Sequence, residues 1–147
     1  MEETRQIDSI GTLKEKFKDG ILEFYEKSGK RYYILIDPGS LLPFVDYIFN
    51  VLKARYQIIS ALDTPNGMEI LYHFALDRLG KVVSLRILLP HDKLEVESIS
   101  PIITGAQWIE REISEILGIR FLNHPDPRKF LLSDDWPEGF HPYRRKK

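Results

Sequence analysis

Residues 57–90 read QIISALDTPNGMEILYHFALDRLGKVVSLRILLP. Three strands are predicted here. The first, residues 57–63, ends at Thr64-Pro65-Asn66-Gly67, and Asn66-Gly67 favours a tight hairpin because both residues tolerate positive φ. The second, residues 68–77, alternates in character. Ile70, Tyr72, Phe74 and Leu76 fall on one side, and Glu69, Leu71, His73 and Ala75 on the other. Leu79-Gly80 turns the chain again. The third, residues 81–90, is β-branched and apolar enough to pack on at least one face. Short links between successive strands give an antiparallel meander.

Working outward, Ser28-Gly29-Lys30 is a turn signal between residues 21–26 and 31–36, which read as a hairpin. Asp37-Pro38-Gly39-Ser40 breaks the second strand and can start a helix. That helix is predicted over residues 41–55, with Leu41, Phe44, Val45, Ile48, Val51 and Leu52 spaced three and four apart. A short helix is predicted over residues 8–18, with Ile10, Leu13 and Phe17 on one face. Downstream, residues 91–101 read as a polar connection ending at Pro101. Residues 104–117 carry the strongest helical pattern: Ala106, Ile109, Ile113, Ile116 and Leu117 form the apolar stripe. Thr104 with Gln107 is a capping-box pattern, and Gly118 sits where a left-handed C-cap residue is needed. The fold class is therefore α+β, with a mixed or mainly antiparallel sheet and helices largely on one face.

The chain has 147 residues, one domain's length, and can bury about 70% of its unfolded surface. Its 43% hydrophobic and 29% charged content excludes a mostly disordered chain, a collagen-like repeat and a coiled-coil rod. No apolar run reaches the roughly 20 residues of a membrane span. Residues 1–16 are acidic and polar, unlike a secretory signal. Cysteine is absent, so there is no disulfide, thiol nucleophile or thiolate-held cluster, and a cytosolic or cytosol-facing location is expected. A net charge of −1 gives no pull toward nucleic acid. High charge with few Met, Asn and Gln and no Cys fits a thermophile source.

Residues 118–147 lack a helical or strand period, yet hold four of the nine prolines and Phe121, Phe130, Trp136, Phe140 and Tyr143. A disordered tail is depleted in aromatics. This stretch reads instead as an extended C-terminal arm that needs a surface to order it, partly its own sheet and partly a partner protein. The organisation is then an α+β domain over 1–117 and a partner-binding arm over 118–147.

Catalytic patterns are sparse. Glu112 and Glu115 share a helix face with Trp108 and could serve as an acid–base pair, but a solvated or partner-facing charged face explains them better. Arg111 and Glu115 are four apart and can pair. The four histidines, His73, His91, His124 and His141, lack helical zinc spacing. His124 and His141 each precede proline, where a ring commonly bonds a backbone carbonyl. Neither a nucleotide-binding glycine motif nor a nucleophile elbow is present.

Residues 110–132, EREISEILGIRFLNHPDPRKFLL, resemble the signature of the 30-kilodalton subunit family of respiratory complex I, proteins like the C subunit of NADH dehydrogenase. Glu110, Arg111, Glu112, Gly118, Ile119, Phe121, His124, Pro125, Asp126, Arg128 and Lys129 match in order and spacing. Residues 133–142, SDDWPEGFHP, resemble the family's tail with its middle altered. Departures at Ser114, Glu115, Leu117 and Pro127 make the stretch more similar to the divergent subunit of membrane-bound [NiFe] hydrogenases and related archaeal complexes.

The resemblance implies a non-catalytic accessory subunit in the peripheral arm of a membrane-bound, energy-converting oxidoreductase. No activity is expected of the chain alone. It implies no cofactor in this chain, with Fe–S clusters and a NiFe centre or quinone in partner subunits. The implied partners are the large hydrogenase-like subunit and the small Fe–S subunit, on the cytoplasmic side of the membrane and with indirect membrane association. The implied partner contacts are Glu110, Arg111, Glu112, Phe121, His124, Asp126, Arg128, Phe130, Trp136, Phe140 and His141, with Gly118 and Pro125 as structural turns. Arg111 is expected to be held by neighbouring carboxylates, and His124 and Asp126 to fix the bend that starts the arm. The alternatives are a complex I or archaeal quinone or cofactor oxidoreductase subunit, a self-associating binding module, and a lone enzyme using Glu112, Glu115 and a tail histidine.

Overall fold

A computed structural model describes residues 9–126 and 141–144. Helix α1 (Ser9–Lys16) leads into the hairpin β1 (Ile21–Ser28) and β2 (Arg31–Ile36). A 3₁₀ turn at Pro38–Ser40 then opens helix α2 (Leu41–Asp46). Strands β3 (Arg55–Thr64), β4 (Gly67–Leu76) and β5 (Lys81–Leu89) follow. Strand β6 (Glu95–Glu97), helix α3 (Gln107–Leu117) and strand β7 (Arg120–Leu122) complete the described elements.

The main sheet has the order β1-β2-β5-β4-β3. β1 runs antiparallel to β2, with Phe24 opposite Ile34, whereas β2 runs parallel to β5, with Ile34 opposite Leu85. The sheet is therefore mixed and the fold is α+β. β4 alternates along most of its length: Ile70, Tyr72, Phe74 and Leu76 are buried, and Glu69, Leu71 and His73 are partly exposed, while Ala75 on the second side is buried too. At the β3–β4 turn, Gly67 has φ +146° and the Thr64 hydroxyl donates to its carbonyl at 2.6 Å. A Cβ on Gly67 would lie 2.6 Å from the Leu89 carbonyl, so only glycine fits there.

By contact density the described chain divides into two compact units. One contains residues 9–58 and 71–87. In it Phe17, just past α1, stacks on Phe44 of α2 at 4.3 Å between ring centres and meets Tyr47 edge-on. The other contains residues 59–70, 88–126 and 141–144. Its interior is built from Ile59, Met68, Ile70, Val96, Ile99, Ile113, Leu117, Ile119 and Phe121.

Three expectations change. The helix foreseen over 41–55 stops early: α2 ends at Asp46 and continues as a π turn over Tyr47–Val51, and Lys53 takes φ +57° before β3 begins at Arg55. The apolar spacing runs smoothly through that change, so periodicity alone could not locate it. Residues 91–101 are not only a connection, because Glu95–Glu97 is a strand. Its parallel partner Arg120–Leu122 gives strand structure to part of the supposedly aperiodic arm. Three residues with charged flanks are too few to print a period of two.

Candidate functional site

Helix α3 carries the residues of the signature-like stretch. It is entered through a 3₁₀ turn, Thr104–Ala106, in which the Gln107 amide already donates to the Thr104 carbonyl. Thr104 is thus inside the helical path, and no side chain caps α3. The capping box expected from Thr104 and Gln107 is not formed. Gly118 ends the helix at φ +78°, as expected of a left-handed C-cap.

The buried stripe of α3 is Ala106, Glu110, Ile113 and Leu117, with Arg111 at its edge. These positions step by four, three and four, so Glu110 occupies a core position of the helical repeat. It is 0% exposed. A buried carboxylate needs donors, and the loop after β6 supplies them. The Ser98 hydroxyl donates to Oε1 at 2.7 Å, the Ile99 amide to Oε2 at 3.0 Å, and the Ser100 hydroxyl also to Oε1. Burial raises the Glu110 carboxyl above its ordinary value of 4.5, against the opposing pull of these donors and of His124. The charged residues between 110 and 115 are therefore not uniformly outward. Glu110 points into the protein because the seryl loop satisfies it, and Arg111 is buried beside it.

Past β7, Asn123 adopts φ +62° and its side-chain amide donates to Glu97 Oε2 at 3.0 Å. His124 follows with a nearly buried side chain. Its Nε2–H donates to the Gln107 carbonyl at 3.0 Å, and its Nδ1 accepts from the Asp126 amide at 2.9 Å. Those two bonds fix one tautomer, with the proton on Nε2. Nε2 also lies 3.8 Å from Glu110 Oε1. Asp126 approaches the Arg111 guanidinium at 3.6 Å, and that guanidinium lies 5.5 Å from the Trp108 ring centre. The bend that starts the arm is thus tied to the first two turns of α3.

Residues 141–144 meet the other end of the same helix. His141 Nδ1–H donates to the Glu115 carbonyl at 2.8 Å, and the Tyr143 amide donates to the Ile116 carbonyl at 2.9 Å. The Gly118 amide closes onto Ser114 at 3.0 Å. Three carbonyls that a helix end leaves open are thereby satisfied. Both histidines before proline bond backbone carbonyls, as the sequence suggested. Between them lies a cleft of about 510 Å³, bordered by Glu97, Arg111, Ser114, Arg120, Phe121 and Asn123.

The candidate residues are distributed as follows. Glu110, Arg111, His124, Asp126 and His141 converge around α3, and Gly118 and Pro125 shape the chain on either side. Phe121 is buried in β7 against its own chain. Glu112 and Glu115 are partly exposed, and Trp108 beside them is 52% exposed. Arg128, Phe130, Trp136 and Phe140 lie outside the described residues. Sequence reasoning does not reach Ser98 and Ser100: within a polar connection they carry no period, and only the glutamate placed on the apolar stripe hints at a buried acceptor. Among the described residues, no group of three His, Asp or Glu could hold a metal ion. Elsewhere, His73 Nδ1 and the Ser84 hydroxyl lie 2.7 Å apart, and His91 Nε2 lies 2.7 Å from Asp63.

A mixed sheet, a glutamate buried on the last helix, and a following segment bent onto that helix by His124 and Asp126 define an α+β domain with a charged network at the root of its C-terminal stretch. Residues 34–147 match the family described as respiratory-chain NADH dehydrogenase, 30 Kd subunit. The chain belongs to that family. It is 32% identical over 143 residues to the C subunit of F(420)H(2) dehydrogenase from Methanosarcina mazei, covering 89% of this chain and 90% of that protein. It is 36% identical over 139 residues to the C subunit of NADH-quinone oxidoreductase from Geobacter sulfurreducens, covering 90% of this chain and 83% of that one. It is 28% identical to hydrogenase-4 component G of Escherichia coli, covering 92% of this chain but spanning only 25% of that longer protein. The fold matches a chain in the structure of the membrane-bound sulfane sulfur reductase, an archaeal respiratory membrane complex. There the TM-score is 0.78 at 19% identity, over 93% of this chain and 82% of that one. It also matches a trypsin-resistant fragment of Nqo5 at a TM-score of 0.66 and 17% identity, over 86% of this chain and 99% of the fragment. The relatives are subunits of complex I-like and hydrogenase-like assemblies, and this chain is a subunit of that type.

Proposed function

We propose that this chain is a non-catalytic scaffold subunit in the peripheral arm of a membrane-bound, energy-converting oxidoreductase. It packs against a large hydrogenase-like subunit and a small Fe–S subunit on the cytoplasmic side, and its arm, residues 118–147, holds the large subunit. The carrying observation is the family match over residues 34–147. Two further features support the reading. With no cysteine, this sequence cannot hold an iron–sulfur cluster through its own thiolates, which suits a subunit whose partners carry the clusters. No helix among the described residues is long and apolar enough to cross a membrane, and the proposed attachment is through other subunits.

The test replaces residues 127–140 by an equally long Gly/Ser segment, leaving Asp126 and His141 in place. Co-purification of the large subunit is expected to fail while the melting temperature of the isolated chain is unchanged. Normal recovery of the large subunit would refute the tether. A dehydrogenase-type complex is the second reading. It is favoured by the near full-length match to the F(420)H(2) dehydrogenase protein, against a quarter of hydrogenase-4 component G. The identity of the co-purifying large subunit and any flavoprotein separates the two.

A further inference from the structure

The two described ends of the arm meet opposite ends of one helix. At the near end, His124 bonds the Gln107 carbonyl and Asp126 approaches Arg111, in the first and second turns of α3. At the far end, His141 and Tyr143 bond the carbonyls of Glu115 and Ile116, in its last turn. We infer that residues 141–144 form an intramolecular clip that holds the far end of the arm on α3 without any partner. Both described attachments of the arm then fall on a single helix.

Three features are needed for the clip, and each is present. The first is a set of unmet acceptors. An α-helix leaves its last four carbonyls without intrahelical donors, and a glycine in the left-handed region turns the chain aside so that outside donors can reach them. The second is room for the ring. Gly118 provides it, because a Cβ there would stand 2.6 Å from His141 Cδ2 and 2.8 Å from Nε2. The left-handed turn alone would admit asparagine, but the close approach of the imidazole restricts the position to glycine. The third is a local brace: the Arg144 amide donates to the His141 carbonyl at 3.2 Å, so the clip is a turn in its own right. Tyr143 contributes through its backbone and is as a residue 70% exposed, so its amide makes the attachment.

The clip changes the thermodynamics of the arm. A tail tied at one end must lose its full chain freedom when it meets a partner. A loop closed at both ends has already lost part of that freedom during folding, and the intact protein carries that cost before any encounter. This goes beyond the scaffold proposal and does not depend on it, because the clip is measured on the isolated full chain.

The experiment is amide hydrogen exchange on that chain, comparing wild type with His141→Ala. In the wild type the Tyr143 amide is expected to exchange at least about tenfold more slowly than a free peptide. In His141→Ala it is expected to return to within about twofold of the free rate, with the β4 amides still protected. Restored protection in His141→Asn, whose side-chain amide can donate to the same carbonyl, would support the ring's role as a donor. If His141→Ala unfolds, Tyr143→Pro removes the second bond alone, and loss of protection at Arg144 reads the same clip. A Tyr143 amide at the free rate in the wild type would overturn the inference. So would undiminished protection in a folded His141→Ala.

Discussion

Glu110 stands where the repeat of α3 asks for an apolar residue, and three donors from residues 98–100 make that possible. Replacing it by leucine removes the acceptor and strands two buried hydroxyls and an amide. Glu110→Leu is expected to cost about 2–4 kcal/mol in chemical denaturation. Its titration has a definite sign. Because burial raises the folded-state value above 4.5, the folded form holds the proton more tightly than the unfolded chain. The stabilisation is complete below 4.5 and is lost as pH rises through the raised folded value. Glu110→Gln is expected to remove that falling slope, as denaturation midpoints followed from pH 4 upward will show. Gly118→Ala combines left-handed strain with a clash against the His141 ring. It is expected to lower stability by about 1–2 kcal/mol from the strain alone. The burial of Glu110 was partly legible, since it shares a face with Ala106, Ile113 and Leu117. Its donors were not, because serines in a loop bear no periodic mark.

Helix α3 shows how an element can be right in place and wrong in how it starts. Its glycine ending and the burial of Ala106, Ile113 and Leu117 follow from spacing, but Ile109 and Ile116 stay partly exposed while Glu110 is buried, and its entry is a 3₁₀ turn, so Thr104 caps nothing. Thr104→Ala is therefore expected to change stability by less than about 0.5 kcal/mol, where a working cap would cost about 1 kcal/mol. A loss of the larger size in thermal denaturation would restore the capping box. The hairpin β1–β2 and strands β3 to β5 were legible because turn residues and alternation recur over six or more positions. β6 and β7 were hidden by brevity: each has three residues, and their pairing joins segments far apart in sequence. The π turn at Tyr47–Val51 was hidden for another reason, since an apolar face continues across it unchanged.

For the molecule as a whole, the half-buried His73 and the buried Glu110 titrate with opposite effects on stability. His73 in β4 is held below its ordinary value of 6.5, first by burial and then by the charge of Arg31. Its stabilisation is complete above 6.5 and is lost as pH falls through the lowered folded value. Glu110 loses stabilisation in the other direction, as pH rises from 4.5. Between these limits the two slopes have opposite signs in the wild type. His73→Gln is expected to steepen the decline on the alkaline side of 4.5, and Glu110→Gln to steepen the loss on acidification. Urea midpoints across that range would test both, and parallel profiles for wild type and the two variants would refute the pairing of effects. The mixed order of the sheet has a consequence for synthesis on the ribosome. β2 finds its parallel neighbour in β5, where Arg31 faces Val82, about fifty residues further along the nascent chain. The N-terminal hairpin must wait in the exit vestibule with one flank unmatched, so shortened translation products ending before β5 should be caught by chaperones and proteases rather than persist as a folded half.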